Sequence, residues 1–163
     1  DYWFRSQFRE LPKNQKVSVL VEIENSKERG LGIPLPKGVV RVYKADTGGA
    51  QQFVGEDAID HTPRDEKIEV KLGEAFDVVA DRKQMDWRAL GECSSESSWT
   101  IALRNHKDEG VRVEVIEPAN GDWQILEASH PARKEDAQTL VFEVDVPARG
   151  ETKLSYRIRI RWC

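Results

Sequence analysis

Helical periodicity is what this sequence most lacks. No stretch repeats apolar residues at i, i+3, i+4 and i+7 over several turns, which argues against a helical bundle and against an α/β architecture. Cysteine is scarce: Cys93 and Cys163 are the two in the chain, and their distance excludes a CxxC redox or zinc pattern. They read either as one disulfide or as two unpaired thiols. No apolar run approaches the roughly 20 residues a spanning helix needs, so no membrane insertion is expected, and the start of the chain carries no signal-peptide pattern. Charge of one sign is missing as well. The 25 Lys and Arg are mixed with 29 Asp and Glu for a net −4, which argues against nucleic acid and against an anionic membrane surface as partners. The first residue is Asp1 rather than Met. The chain is therefore expected to be an excised domain or a processed protein whose upstream segment held the targeting information.

The known catalytic patterns are absent too. There is no G-x-S-x-G elbow, no S-x-x-K, no H-E-x-x-H and no P-loop. Gly30-Leu31-Gly32 lacks the third glycine and the following helix of a phosphate cradle. The sequence assigns no catalytic residue, no cofactor-binding residue, no metal ligand and no cofactor.

Period-2 alternation is what the chain has instead, and it marks half-buried strands. Val17, Val19, Val21 and Ile23 share one face of a first strand; Val39 to Ala45 is another, returned through the Asp46-Thr47-Gly48-Gly49 turn to Phe53 and Val54. Ile68, Val70 and Leu72 alternate, and so do Trp99, Ile101 and Leu103. Val111, Val113 and Val115 precede a turn at Asn120-Gly121; Leu140, Phe142, Val144 and Val146 follow a polar stretch, Ser129 to Gln138, that has room for one helical turn. On the last strand Tyr156, Ile158, Ile160 and Trp162 are expected inward, and Arg157, Arg159 and Arg161 outward. About nine to eleven short strands without helices mean a sandwich or barrel, because each sheet must bury its apolar face.

The expected fold is all-β, an immunoglobulin- or fibronectin-like β-sandwich. Residues 1–15 form an N-terminal segment of uncertain role and 16–163 one domain. Asp81 to Leu90 is ambiguous, because Met85, Trp87 and Leu90 do not alternate cleanly. As a strand it makes one arm of a long hairpin tipped by the polar Gly91 to Ser98. As a helix it turns 84–97 into a linker between two β subdomains, 16–83 and 98–163.

Candidate sites are few. Glu56, Asp57, Asp60, Asp65 and Glu66 have the oxygen donors for calcium, but their spacing matches no EF-hand, and a solvated acidic loop explains them better. His61, His106 and His130 are scattered among loops. The three arginines of the last strand offer either a surface for an acidic partner or cross-strand pairing with Glu114, Glu117 or Glu143. Trp87 and Trp123, beside polar turns, are candidates for stacking on sugar rings, with burial in a core as the alternative.

Several segments resemble the C-terminal domain-of-unknown-function family of mucoidy-inhibitor-A-like bacterial proteins. They are Asn25-Ser26, Ile33-Pro34-Leu35-Pro36-Lys37-Gly38, Val40-Arg41-Val42-Tyr43 and Phe53-Val54-Gly55-Glu56-Asp57, then Leu72-Gly73, Asn105-His106-Lys107, Gly121-Asp122-Trp123 and Tyr156-Arg157-Ile158-Arg159. The resemblance covers most of the chain from about Lys16 onward. It implies an extracytoplasmic, envelope-associated domain without established enzymatic activity, facing another envelope protein or a glycan. The expected function is a non-catalytic interaction or scaffolding module whose contacts lie in loops such as Gly30 to Gly38 and Gly91 to Ser98. A carbohydrate-binding sandwich is the alternative.

Overall fold

Alternating sequence of this kind folds as strands, and the computed structural model, which describes residues 2–5 and 15–163, has eleven of them and no α-helix among the described residues. They are β1 (Tyr2–Arg5), β2 (Gln15–Glu24), β3 (Gly38–Ala45), β4 (Gln51–Ile59), β5 (Lys67–Ala89), β6 (Ser94–Asn105), β7 (Val111–Pro118), β8 (Asp122–Ala128), β9 (Ala132–Asp136), β10 (Thr139–Val146) and β11 (Gly150–Arg161). A single 3-10 turn, Lys27–Arg29, follows β2. The chain forms two compact units: residues 18–74 make the first, and Tyr2–Val17 with Ala75–Cys163 the second. Both β2 and β5 run through the boundary.

In the first unit, β3 and β4 form an antiparallel hairpin with Gly38 opposite Ile59 and Ala45 opposite Gln51. Asp46 closes it, its Oδ1 accepting the N–H groups of Gly48 and Ala50 at 2.8 and 2.9 Å. Asn25 is fully buried and organises the loops. Its Nδ2 donates to the carbonyls of Ile33 and Pro63, both at 2.8 Å, and its Oδ1 accepts the Gly32 N–H at 3.0 Å. A buried amide with its groups satisfied fixes backbone that no ladder holds. Gly55 allows β4 to cross β5 closely, since a Cβ there would lie 2.5 Å from the Leu72 carbonyl oxygen.

The second unit is a sandwich. One layer runs β8-β11-β6-β5, the other β1-β7-β10-β9, within one hydrogen-bonded order that passes through β2. Ile101, Leu103, Leu154, Tyr156 and Ile158 from the first layer and Val113, Val115, Leu140, Phe142 and Val144 from the second are buried. The Phe142 and Tyr156 rings lie 5.1 Å apart between the layers. Burial of apolar surface of this kind is the main force holding such layers together, about 25 cal/mol per Å².

Several sequence expectations change here. Residues 2–5 are not a separate segment: β1 lies parallel to β7, with Tyr2 opposite Val113 and Arg5 opposite Ile116. Asp1 and residues 6–14 lie outside the described residues. Asp81 to Ala89 is strand, not helix, and 84–97 is not a linker, because β5 pairs with β6 from Val78–Asn105 to Ala89–Ser95. The broken alternation has a β-bulge as its cause. The register shifts between Gln84 and Asp86, so Met85 is the extra residue and the residues beyond it change face.

The expected loop tip, Gly91 to Ser98, shrinks to the turn before Ser94. Ser95, Glu96 and Ser97 are buried, held between β5 and β11. Ser129 to Gln138 contains β9 rather than a helical turn, paired with β10 from Phe142–Ala132 to Thr139–Asp136. Trp162 is exposed, not inward. Cys93 and Cys163 are disulfide-bonded, with their Cα atoms 5.5 Å apart. Gly121 has φ +82° and a Cβ there would lie 2.5 Å from the Arg161 carbonyl oxygen, so the turn into β8 requires glycine.

Candidate functional site

Two charged clusters that contain buried ionic groups stand one on each face of the β5-β6-β11 layer of the second unit. On the outer face, Arg88, Glu96 and Arg159 stand opposite one another on β5, β6 and β11. Side chains at paired positions share a face, so three strands deliver one ionic row. Glu96 is 1% exposed. Its Oε2 accepts from Arg88 Nε and Nη2 at 3.0 and 2.5 Å, and its Oε1 from Arg159 Nε and Nη2 at 3.0 and 2.6 Å. The hydrogen bonds of Arg159 and then Arg88 hold its carboxyl down to about 2, against the opposing effect of burial. Arg157 reaches the same carboxylate only at 3.5 Å and Asp86 also at 3.5 Å.

On the inner face, Arg82 and Glu117 form an ion pair between the layers. Arg82 Nη2 and Nε donate to Glu117 Oε2 at 2.8 and 3.0 Å, and both residues are buried. Tyr156 Oη donates to the same oxygen at 2.6 Å. Burial first, then the charge of Glu117, pushes the Tyr156 phenol upward. The Arg82 guanidinium sits 3.6 Å above the Trp99 ring, a cation–π contact that strengthens where water is excluded. Every strong group here is matched by another. The cluster is built to hold two layers in register.

Arg157 and Arg159 of the stripe are therefore paired across strands, but not with the acids expected. Arg157 and Arg159 meet Glu96 and Asp86, whereas Glu117 is taken by Arg82 and Glu114 meets Arg133 at 3.5 Å. Parity explains the miss: Glu117 shares the core-facing side of β7 with Val113 and Val115, while the stripe faces outward.

The acidic group of the first unit is dispersed. Glu56 accepts from Arg41 Nε at 2.9 Å, Asp57 accepts the Lys71 N–H at 2.8 Å, and Asp65 occupies a turn with φ +66°. Among the described residues no group of three or more His, Cys, Asp or Glu is arranged to hold a metal ion. His61 accepts the Lys37 N–H at 3.3 Å in the first unit. In the second, the His106 N–H donates to the Asp77 carbonyl at 2.7 Å and His130 Nδ1 lies 2.8 Å from Ser129 Oγ. No hydrogen bond joins one histidine to another among the described residues. In Gly30-Leu31-Gly32 the last amide is committed to Asn25.

The two tryptophans separate. Trp123 donates its Nε1–H to the Ala137 carbonyl at 2.9 Å, and Lys134 Nζ lies 5.1 Å from its ring centroid. Trp87 is 58% exposed.

Concavities lined by described residues include the following. One of about 410 Å³ lies among Pro34, Leu35, Pro36, His61, Thr62 and Pro63 in the first unit. One of about 520 Å³ on the β7-β10-β9 layer includes Arg112, Arg133, Glu143 and Asp145, of which Arg112 and Asp145 pair at 2.8 Å. The third, about 340 Å³, lies on the outer face of the β5-β6-β11-β8 layer and is bordered by Arg157. None carries a nucleophile hydrogen-bonded to a base that is itself oriented by a third group. No helix is long and apolar enough to cross a membrane among the described residues. No protein-family model, curated protein or solved structure matches the chain.

Proposed function

We propose that this chain is a non-catalytic interaction or scaffolding module of the bacterial cell envelope, built on an immunoglobulin-like sandwich. One observation carries the reading: Arg88 and Arg159 are about half exposed yet locked on the buried Glu96. Guanidinium groups held rigid before a partner arrives lose little freedom on binding, and arginine is among the residues that dominate protein interfaces. The disulfide supports an extracytoplasmic setting, since such bonds persist in oxidising compartments. The partner would be another envelope protein or a glycan, with neither nucleic acid nor membrane insertion involved.

Capture from an envelope extract tests this, with R88E/R159E as the comparison. The parent chain is expected to retain a saturable partner that the double variant loses while still folded at the capture temperature, its melting point lowered because Glu96 loses its partners. An identical set retained by both proteins would sink the reading. Trp87, more than half exposed, favours a second reading as a carbohydrate-binding sandwich. Quenching of fluorescence by an envelope polysaccharide in the parent but not in W87A is its expected sign.

A further inference from the structure

The third concavity has a composition that the ionic row does not explain. On the outer face of the second unit, β6 and β11 carry short hydroxyl side chains, Ser98, Thr100 and Ser155, where longer groups would fill the space. The longer side chains of Met85 on β5 and Glu127 on β8 stand at either side, and Arg157 closes one end. The result is a hydroxyl-floored groove of about 340 Å³, at the small end of ligand sites, which run from about 300 to 1,000 Å³.

Its polar groups are only partly occupied. Thr100 Oγ1 and Ser155 Oγ are 3.3 Å apart, sharing at most one hydrogen bond, although each hydroxyl offers one donor and two acceptor sites. Glu96 takes its short bonds from Arg88 and Arg159, which leaves Arg157 with contacts of 3.5 Å only. Glu127 is the register partner of Arg157 on β8, yet the two form no ion pair, and Glu127 makes none with any other described residue. A loosely held donor and an open acceptor thus stand side by side at the edge of a floor of hydroxyls.

We propose that this groove binds a short neutral saccharide, with Arg157 donating to and Glu127 accepting from ligand hydroxyls, and Met85 covering a C–H face of the ring. The balance of charge selects the class. An anion would meet Glu127 and a cation would meet Arg157, whereas a polyhydroxyl ligand uses both. Alternating donors and acceptors at short spacing match a ring that presents a hydroxyl on nearly every carbon. The volume suits one or two rings. The inference rests on the interaction-module reading and names a ligand for it, at a place other than Trp87.

The test is amide mapping by two-dimensional NMR on the whole chain. The probes are cellobiose, maltose and chitobiose, with triglutamate as a charged comparison. At least one disaccharide is expected to shift the amides of Ser98, Thr100, Glu127, Ser155 and Arg157 in a saturable way. R157Q and E127Q are each expected to weaken that binding at least tenfold without altering the fold, and triglutamate to leave the groove unmoved. Shifts confined to residues around Trp87 would overturn the groove. So would a response to triglutamate alone, or no response to any disaccharide. Because partner capture depends on Arg88 and Arg159, its survival in R157Q separates failure of the groove from failure of the interaction module.

Discussion

Glu117 sits where a valine would be expected: it continues the buried face of β7 set by Val111, Val113 and Val115, and it is fully buried itself. Arg82 does the same on β5 after Val78 and Ala80. A buried charge is tolerable only with a partner, so two opposite charges at core positions imply each other. Removing one should therefore cost more than removing both. E117Q leaves Arg82 charged inside the core and is expected to lose about 3–5 kcal/mol of stability. R82M/E117L, which replaces the pair with apolar groups of similar size, is expected to lose much less. Urea unfolding of the two variants checks this, and equal losses would mean that the pair is not closed off from water. Parity within each strand reveals both residues as core positions in the sequence. It does not reveal that they meet, because which strands face each other across a sandwich depends on topology that alternation does not encode. The groove residues Ser98, Thr100 and Ser155 were less legible still, since three small polar side chains, two on β6 and one on β11, carry no pattern of their own.

At the level of elements, Glu96 ties three strands through one carboxylate. The signal that hid it was its neighbourhood: Ser94, Ser95, Ser97 and Ser98 read as an exposed tip, whereas flanking strands on both sides bury Ser95 and Ser97. The bulge at Met85 hid the same region from the other side, since one extra residue makes a strand look briefly helical. With its carboxyl held down to about 2 against an ordinary unfolded value of about 4.3, Glu96 binds its proton more readily in the unfolded chain. Its contribution is fully present above the unfolded value and is lost as pH falls through about 4 towards 2. E96Q lacks that titration. The stability gap between parent and E96Q is expected to be constant from neutral pH to about 5 and to close on further acidification. Thermal melts across that range decide it. A gap that stays open at pH 2 would assign the effect of the substitution to packing instead of charge.

At the level of the whole chain, the sequence offered one domain over 16–163, or as its alternative two β subdomains joined by 84–97, and the compact units divide at 17/18 and 74/75. Neither boundary is marked by a polar linker: one falls inside β2, where alternation continues, and the other inside β5, where Gly73 takes φ +144° and the buried positions pass from Ile68 and Val70 to Ala75 and Val78 without the strand ending. Boundaries read from sequence rely on polar, punctuated linkers, and here the punctuated stretch Gly30 to Gly38 lies within the first unit. The consequence is that the second unit is discontinuous: the chain contributes β1 and the start of β2, leaves to build residues 18–74, and returns at Ala75. A C-terminal piece consisting of residues 75–163 would carry the disulfide and most of the core, yet lack β1. It would leave the β7 edge open where Tyr2–Arg5 pair in parallel, and a long open edge invites pairing with other chains. Residues 75–163 produced alone are therefore expected to associate, and to unfold less cooperatively than the intact chain. Sedimentation and urea unfolding would show both, and added peptide 1–17 is expected to reduce the association. A monomeric, fully cooperative fragment would mean that β1 lies on the second unit without supporting it.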